Sequence, residues 1–427
     1  MTERIQSLCD FLNHSHSSFH AVAYLENLLK AAGYIRLWET DHWDLAPGGK
    51  YYLIRGGTAL MAFRIPQGSP AGFLLSAAHS DRPCFKVKEN AELTGTYTRL
   101  AVEKYGGMII HPWLDRPLSI AGRVLVDTPE GIQTRLIDLD RDIALIPNVA
   151  IHMNRDANNG YKYDAKCDTI PLMGLGDAKN ALRNIIAKSA GCAEEEILGH
   201  DLFLCIRQQG MVWGLNDEFV SAPSLDDLQC AYGCFRGFME ATDSDSLPIF
   251  ALMDNEEVGS LTKQGADGTL MSDVVERICA ALGRDKCTAV ANSFLVSADN
   301  AHAVHPNHPE YTDATHRPVM NGGIVIKHGT RYATDGAAQA VFTALCDKAG
   351  VPVQHFSNRS DLMGGSTLGN IANAHLSMNT VDIGLAQLAM HSCLETAGAQ
   401  DTDYLVRAMT AFYSASFRET NGVFTLN

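Results

Sequence analysis

Two adjacent carboxylates, Glu256 and Glu257, stand in Asp254-Asn255-Glu256-Glu257-Val258-Gly259-Ser260, just where the apolar run Pro248-Ile249-Phe250-Ala251-Leu252-Met253 gives out. The run has the length and flanks of a buried strand, and Gly259 marks a turn beyond it. Neighbouring side chains of a strand point to opposite faces, so both carboxylates reach one site only where the strand has begun to turn. Such a pair can divide its labour: one glutamate binds a metal while the other stands free and takes a proton from an attacking water. By itself the pair equally fits a surface loop with two solvated acids. Distant residues of metal-ligand type must decide between the two.

Four further segments supply such residues. His79 closes the apolar run Gly72-Phe73-Leu74-Leu75-Ser76-Ala77-Ala78, and Asp81 follows two residues on, placed to hold the second imidazole nitrogen and set its tautomer. Asp226 and Asp227 open a predicted helix that runs through Tyr232, Phe235 and Phe238 to Ala241, where capping is the ordinary role for an acid. Asp299 follows the apolar run 293–298, and His391 precedes a closing helix predicted over 401–413. Each fits a packed or capping residue when taken alone. Together, His79, Asp226, Glu257, Asp299 and His391 come from separate segments, most at strand ends, which in a doubly wound α/β fold lie along one edge. Two histidines and three carboxylates suit a pair of zinc ions with one carboxylate bridging. Charge agrees: two divalent ions balance Asp226, Glu257, Asp299 and an ionised Glu256. Without metal, burying such a cluster is costly.

The elements that must position these residues alternate in character along the chain. Residues 4–33 read as two amphipathic helices, the second capped by Ser17 or Ser18. Strands follow at 51–55, 58–64 and 72–78. From about 91 to 214 the pattern is rich in strands and turns, with a hairpin at Thr128-Pro129-Glu130-Gly131 and one clear helix over 178–190. The strand-then-helix rhythm then resumes, so residues 92–214 read as a domain inserted into a catalytic domain made of residues 1–91 and 215–427. The fold class is therefore α/β. His302, His305 and His308 are spaced like ligands, but Pro306 and Pro309 break any helix that would align them, and they read as a structural loop. Lys327 ends a predicted strand, where a lysine is ordinarily solvated. The loop Gly364-Gly365-Ser366-Thr367-Leu368-Gly369 can bring amides to a ligand but matches neither a nucleotide P-loop nor a hydrolase elbow.

Composition narrows the classes. With 427 residues, 46% hydrophobic and 19% charged, the chain is globular and buries a large core. A formal net charge of -15 and the lack of a basic stripe argue against nucleic acid or an anionic membrane as partner. Eleven cysteines without paired metal spacing are expected to be reduced and mostly buried. No apolar run approaches the ~20 residues of a membrane span, and Met1-Thr2-Glu3-Arg4 does not begin a signal peptide; the expected location is the cytoplasm.

Several short motifs, in order along nearly the whole chain, resemble those of the aspartyl aminopeptidase family. They are His79-Ser80-Asp81-Arg82-Pro83, His111-Pro112-Trp113-Leu114-Asp115-Arg116, Ser224-Leu225-Asp226-Asp227-Leu228, Asp254 to Ser260, Ser297-Ala298-Asp299, Arg331-Tyr332-Ala333-Thr334 and Ala389-Met390-His391-Ser392. The resemblance implies a zinc exopeptidase-like fold, with a mixed, largely parallel sheet flanked by helices and an inserted β-rich dimerisation domain. It implies a di-zinc enzyme, with Mn2+ or Co2+ as possible substitutes, in which His79 and Asp299 hold one ion, Glu257 and His391 the other, and Asp226 bridges. Glu256 would be the general base and Asp81 a catalytic partner of His79. His152 matches a histidine that reaches a neighbouring subunit's active site, and Lys327 a basic residue linked to acidic first-residue preference. Peptides beginning with Asp or Glu would be the substrates, and a homo-oligomer, commonly a dodecamer built from dimers, the assembly. Arg82, Asn300 and Gly364 depart from the family pattern near the site, which bears on substrate preference. A neutral-residue aminopeptidase and a non-catalytic metal-binding scaffold remain the rival readings.

Overall fold

The computed structural model describes residues 3–176, 178–362, 364–365 and 367–426; Met1, Thr2 and the Ser366 of the Gly-rich loop lie outside the described residues. Its main sheet has nine strands, with four parallel ones at the centre: Leu247–Met253, Phe73–His79, Phe294–Ala298 and Asn379–Gly384, in that spatial order. Antiparallel neighbours extend it on both sides, Ala59–Arg64 and Lys50–Arg55 at one end and Ile324–His328 at the other. The sheet is thus mixed and largely parallel, as expected.

Both faces of the central strands are covered, so they read as near-continuous apolar runs. In Phe73–His79 the alternation is still visible: Leu74 and Ala78 join one core with Leu228, Phe235, Leu405 and Met409, while Phe73, Leu75 and Ala77 join another with Val274 and Ile278. The first core lies beneath helices Glu3–Asn13, Ser18–Ala31, Leu225–Glu240 and Asp401–Ser414, the second beneath Leu270–Ala281 and Leu368–His375. Gly233 and Gly237 let the Leu225–Glu240 and Asp401–Ser414 helices meet closely. A Cβ on Gly237 would stand 2.4 Å from Met409 Cβ, and one on Gly233 2.5 Å from a Leu405 methyl.

A separate β-rich domain lies between Cys84 and Cys205. Its seven-stranded sheet runs from Ile197–Cys205 and Cys84–Leu93 through Tyr97–Tyr105 to Pro117–Thr128 and Gly131–Asp138, around its own core with Phe85, Trp113, Ile120 and Leu202. The hairpin turn falls at Pro129 and Glu130, as its residues require, and the domain's helix is Ala181–Ala190, three residues shorter at its start than predicted. A small five-stranded sheet escapes sequence reading because its strands are only two to four residues long: Met211–Trp213, Phe219–Ala222, Glu395–Gly398, Ala386–Leu388 and Ala301–His302. Ser17 flanks the second helix at its N-terminus, yet its hydroxyl meets the His20 ring at 2.7 Å instead of capping the backbone. All eleven cysteines are free and most are buried. None of the described helices is long and apolar enough to cross a membrane.

Candidate metal centre

Three neighbouring parallel strands end side by side, and each delivers a ligand-type residue at its carboxyl end: His79, the Asp254 to Glu257 turn and Asp299. The small sheet supplies the rest. Asp226 follows its Phe219–Ala222 strand, and His391 sits in the turn between Ala386–Leu388 and Glu395–Gly398 with φ at +67°. Asp226 and Asp227 do not cap the helix. Both have non-helical dihedrals and are buried, so the regular helix begins after them and Asp226 is free to face the cluster.

The side chains converge. Asp226 stands between the two imidazoles, with Oδ1 3.4 Å from His79 Nε2 and Oδ2 3.5 Å from His391 Nε2. Asp299 Oδ1 is 3.8 Å from His79 Nε2, and Glu257 Oε1 is 3.4 Å from His391 Nε2. Glu256 reaches the same space, with a carboxylate oxygen within 4.8 Å of ligand atoms of His79 and Glu257. Two donors each ~2.0–2.1 Å from one tetrahedral zinc lie about 3.3 Å apart, so this spacing suits shared cations. Buried oxygens without a hydrogen-bond partner mark the same place: Asp226 Oδ1, Asp227 Oδ1 and Glu257 Oε1. Buried carboxylate oxygens are costly unless something positive meets them. The donor set therefore fits metal.

Electrostatics agrees with the geometry. Burial opposes a charge on His79, but Asp226, Asp299 and Asp81 outweigh it and lift its pKa well above 6.5. Burial, reinforced by Asp226, pushes the Glu257 carboxyl well up, and burial with Asp299, Asp81 and Asp226 raises Glu256 to about 7 against the pull of His79. Burial works against a charge on Asp226 too, but His391 and His79 outweigh it and hold its carboxyl well below the usual carboxylate range, so Glu256 and Glu257 are the acids whose ionisation a divalent cation would favour.

Supporting contacts hold three of the ligand-type residues, His79, Asp226 and His391. His79 Nδ1 faces the Asp81 carbonyl at 3.1 Å and His391 Nδ1 faces the Gly107 carbonyl at 3.0 Å, so with a cation at the cluster each ring would keep its proton on Nδ1 and turn the Nε2 lone pair to it. Glu395 accepts the amides of Asp226 at 2.9 Å and His391 at 2.7 Å, tying the two together. Asp227 Oδ2 accepts the His79 amide at 3.0 Å. Sequence reasoning missed Glu395, Gly107 and this role of Asp227. Glu395 had one signal, its place four residues after His391; a backbone carbonyl such as that of Gly107 has none.

Other expected site residues stand apart. Lys327 is 3% exposed, not solvated, and its Nζ donates to Asp299 Oδ2 at 3.0 Å. His152 lies in an exposed turn of the β-rich domain and is not among the converging side chains. Arg82 turns away to the Ser15 and His16 carbonyls, and Asn300 joins a buried amide network with Gln229 and Gln387. His302, His305 and His308 enter no metal-competent group among the described residues, and His308 pairs with Glu310.

Known proteins are similar to this chain in sequence and fold. The family described as Aminopeptidase I zinc metalloprotease (M18) matches residues 11–413. A probable M18 family aminopeptidase 2 of Clostridium acetobutylicum is 42% identical over 427 residues, covering 96% of this chain and 99% of its own. Its counterpart in Pseudomonas aeruginosa is 41% identical over 422 residues, covering 96% and 98%. Among solved structures, a chain of the Ape4 and Nbr1 complex superposes with a TM-score of 0.93 at 31% identity, covering 96% of this chain and 85% of that one. The S. cerevisiae mApe1 dodecamer gives 0.85 at 30% identity, with 96% of each chain covered.

Proposed function

This chain belongs to the M18 family of zinc aminopeptidases, exopeptidase hydrolases, and from that membership we propose that it removes the first residue, preferably Asp or Glu, from peptides at a two-zinc centre. One observation carries the two-ion reading: Asp226 turns one carboxylate oxygen to each of two imidazoles. His79 and Asp299 would hold one ion, Glu257 and His391 the other, with Asp226 shared; Mn2+ or Co2+ could replace zinc. Bound zinc supplies Lewis acidity, polarising the scissile carbonyl and making water a better nucleophile at neutral pH.

The chain's own residues do the rest. Glu256, adjacent to the ligand Glu257, takes the proton of the attacking water and returns it to the leaving amine. Asp81 holds His79 in the tautomer that leaves Nε2 free. A metal or a nearby acid would receive the free α-amino group, which selects a chain end over an internal peptide bond. The β-rich domain, taken as residues 92–214 between catalytic segments 1–91 and 215–427, serves dimerisation, and His152 reaches a neighbouring subunit's site. A dodecamer built from dimers, in the cytoplasm, is the proposed working form, supported by likeness to the S. cerevisiae mApe1 dodecamer.

The Lys327 to Asp299 ion pair favours a second reading of substrate choice. A lysine neutralising a metal ligand has less charge to offer an acidic side chain, so a neutral-residue preference is the alternative. Metal-free protein, reloaded with zinc, manganese or cobalt and given matched Asp-, Glu-, Leu- and Lys-terminal peptides, separates the cases. Restored release of Asp or Glu is expected. Release of Leu alone would keep the chemistry and discard the acidic preference, and release of nothing would leave a metal-binding scaffold. Lys327→Ala should lower turnover of acidic substrates more than of Leu peptides; an equal fall on all would make Lys327 a support for Asp299 only.

A further inference from the structure

The Tyr97–Tyr105 strand of the β-rich domain ends against the metal centre. Its last residue sends a hydroxyl across: Tyr105 Oη donates to Asp81 Oδ2 at 2.7 Å and accepts Asn255 Nδ2–H at 2.8 Å. The ring stands edge-on to Phe203 of the same domain, centroids 5.7 Å apart. Asp81, 3% exposed, is asked to hold several things at once. Its Oδ1 lies 3.3 Å from His79 Nδ1 and accepts the Glu256 amide at 3.1 Å, and its Oδ2 accepts the Glu257 amide at 3.2 Å. One carboxylate thus touches a ligand histidine and the backbone of both the proposed base and a second ligand.

Those three contacts are all longer than 3.0 Å, and the phenol's is the shortest that Asp81 makes. Rotation of a carboxylate about its last bond is soft, so its shortest partner sets its plane. Behind Asp81 a cavity of about 250 Å³, lined by Tyr105, Asp81, Asn255, Arg82 and Lys86, is roomy and polar enough for water that would otherwise compete for Oδ2.

We propose that Tyr105 is a positioning residue: the β-rich domain uses its hydroxyl to fix the Asp81 carboxylate, and through it both the His79 ring and the Glu256 to Glu257 turn. This rests on the two-zinc aminopeptidase reading above. Tyr105→Phe removes only the hydroxyl and keeps the ring on Phe203. Zinc affinity is read by titrating metal-free protein against a chromophoric chelator, and kcat and KM on the best peptide of the panel. Outer partners of metal ligands typically change affinity or activity ~10–100-fold. Tyr105→Phe is expected to weaken zinc at one site by about that factor and to lower kcat similarly while KM stays within about twofold. Phe203→Leu, which alters the packing but leaves the hydroxyl, is expected to keep wild-type zinc affinity and kcat. Wild-type values of both in Tyr105→Phe would overturn the proposal, as would an equal loss in Phe203→Leu, which would reduce Tyr105 to packing. A wild-type protein that neither binds zinc nor cleaves any peptide would overturn the aminopeptidase reading and this one with it; a wild-type protein that does both, matched by Tyr105→Phe, would overturn this one alone.

Discussion

Glu256 and Glu257 are neighbours with unlike surroundings. Asp81 accepts both amides, at 3.1 and 3.2 Å, but it is the Glu257 carboxylate that is paired with an imidazole, the His391 ring at 3.4 Å. That difference is what an acid-base residue beside a ligand requires. Replacing Glu256 by Gln keeps size and packing but removes the proton acceptor, so turnover is expected to fall by ~10²–10⁴-fold. Zinc content, measured by atomic absorption, should stay at the wild-type level, since the proposed donor set of His79, Asp226, Glu257, Asp299 and His391 is untouched; a fall in zinc would make Glu256 a ligand. At this scale sequence reading goes far, because His and carboxylates at strand ends announce themselves. What it cannot reach are residues whose part is played from a distance. Asp227 reads as a cap because an acid before a helix usually is one, and only the fold shows it accepting the His79 amide. Glu395 and Tyr105 look like any exposed acid and any strand aromatic until the chain is closed.

Among the elements, the pair of helices Leu225–Glu240 and Asp401–Ser414 secures the base of the site. One carries Asp226 just ahead of its first regular turn, and the other follows the hairpin that holds His391. They approach through Gly233 and Gly237. Since a Cβ on Gly237 would meet Met409 Cβ at 2.4 Å and its backbone carbon at 2.8 Å, Gly237→Ala must push the helices apart. Overpacking of that kind costs about 1–3 kcal/mol, enough to lower the thermal midpoint in a calorimetric scan. An unchanged midpoint would mean that the pair tolerates separation. The strands and long helices were legible because burial on two faces leaves continuous apolar runs and helices keep their period. The small sheet was not, for its strands are too short to show any period, and a hydroxyl such as that of Ser17 chooses its partner only after His20 is placed.

At the scale of the whole molecule, the β-rich domain does two things that sequence assigns to separate residues. It presents His152 outward in an exposed turn, and it sends Tyr105 and Gly107 inward to the metal centre. If His152 serves a neighbour's site, His152→Ala and Glu256→Gln should each silence homo-oligomers yet complement when co-expressed. In a mixed dimer the His152→Ala subunit keeps its own Glu256 and borrows the neighbour's histidine. Recovered activity in mixed oligomers, absent from either variant alone, is the expected result; no recovery would place His152 in its own subunit's site or outside catalysis. The strand order has a further consequence, in time. The Phe73–His79 strand lies between Leu247–Met253 and Phe294–Ala298, so its nearest partner is translated roughly 170 residues later, about 10–30 s at 5–20 residues per second. Throughout that interval the Phe73–His79 strand, buried along its whole length in the finished fold, lacks both of its sheet partners. The enzyme is born inert: a hydrolase whose proposed metal ligands are scattered from His79 to His391 cannot attack the polypeptides being made around it until its own synthesis has brought the last of them into place.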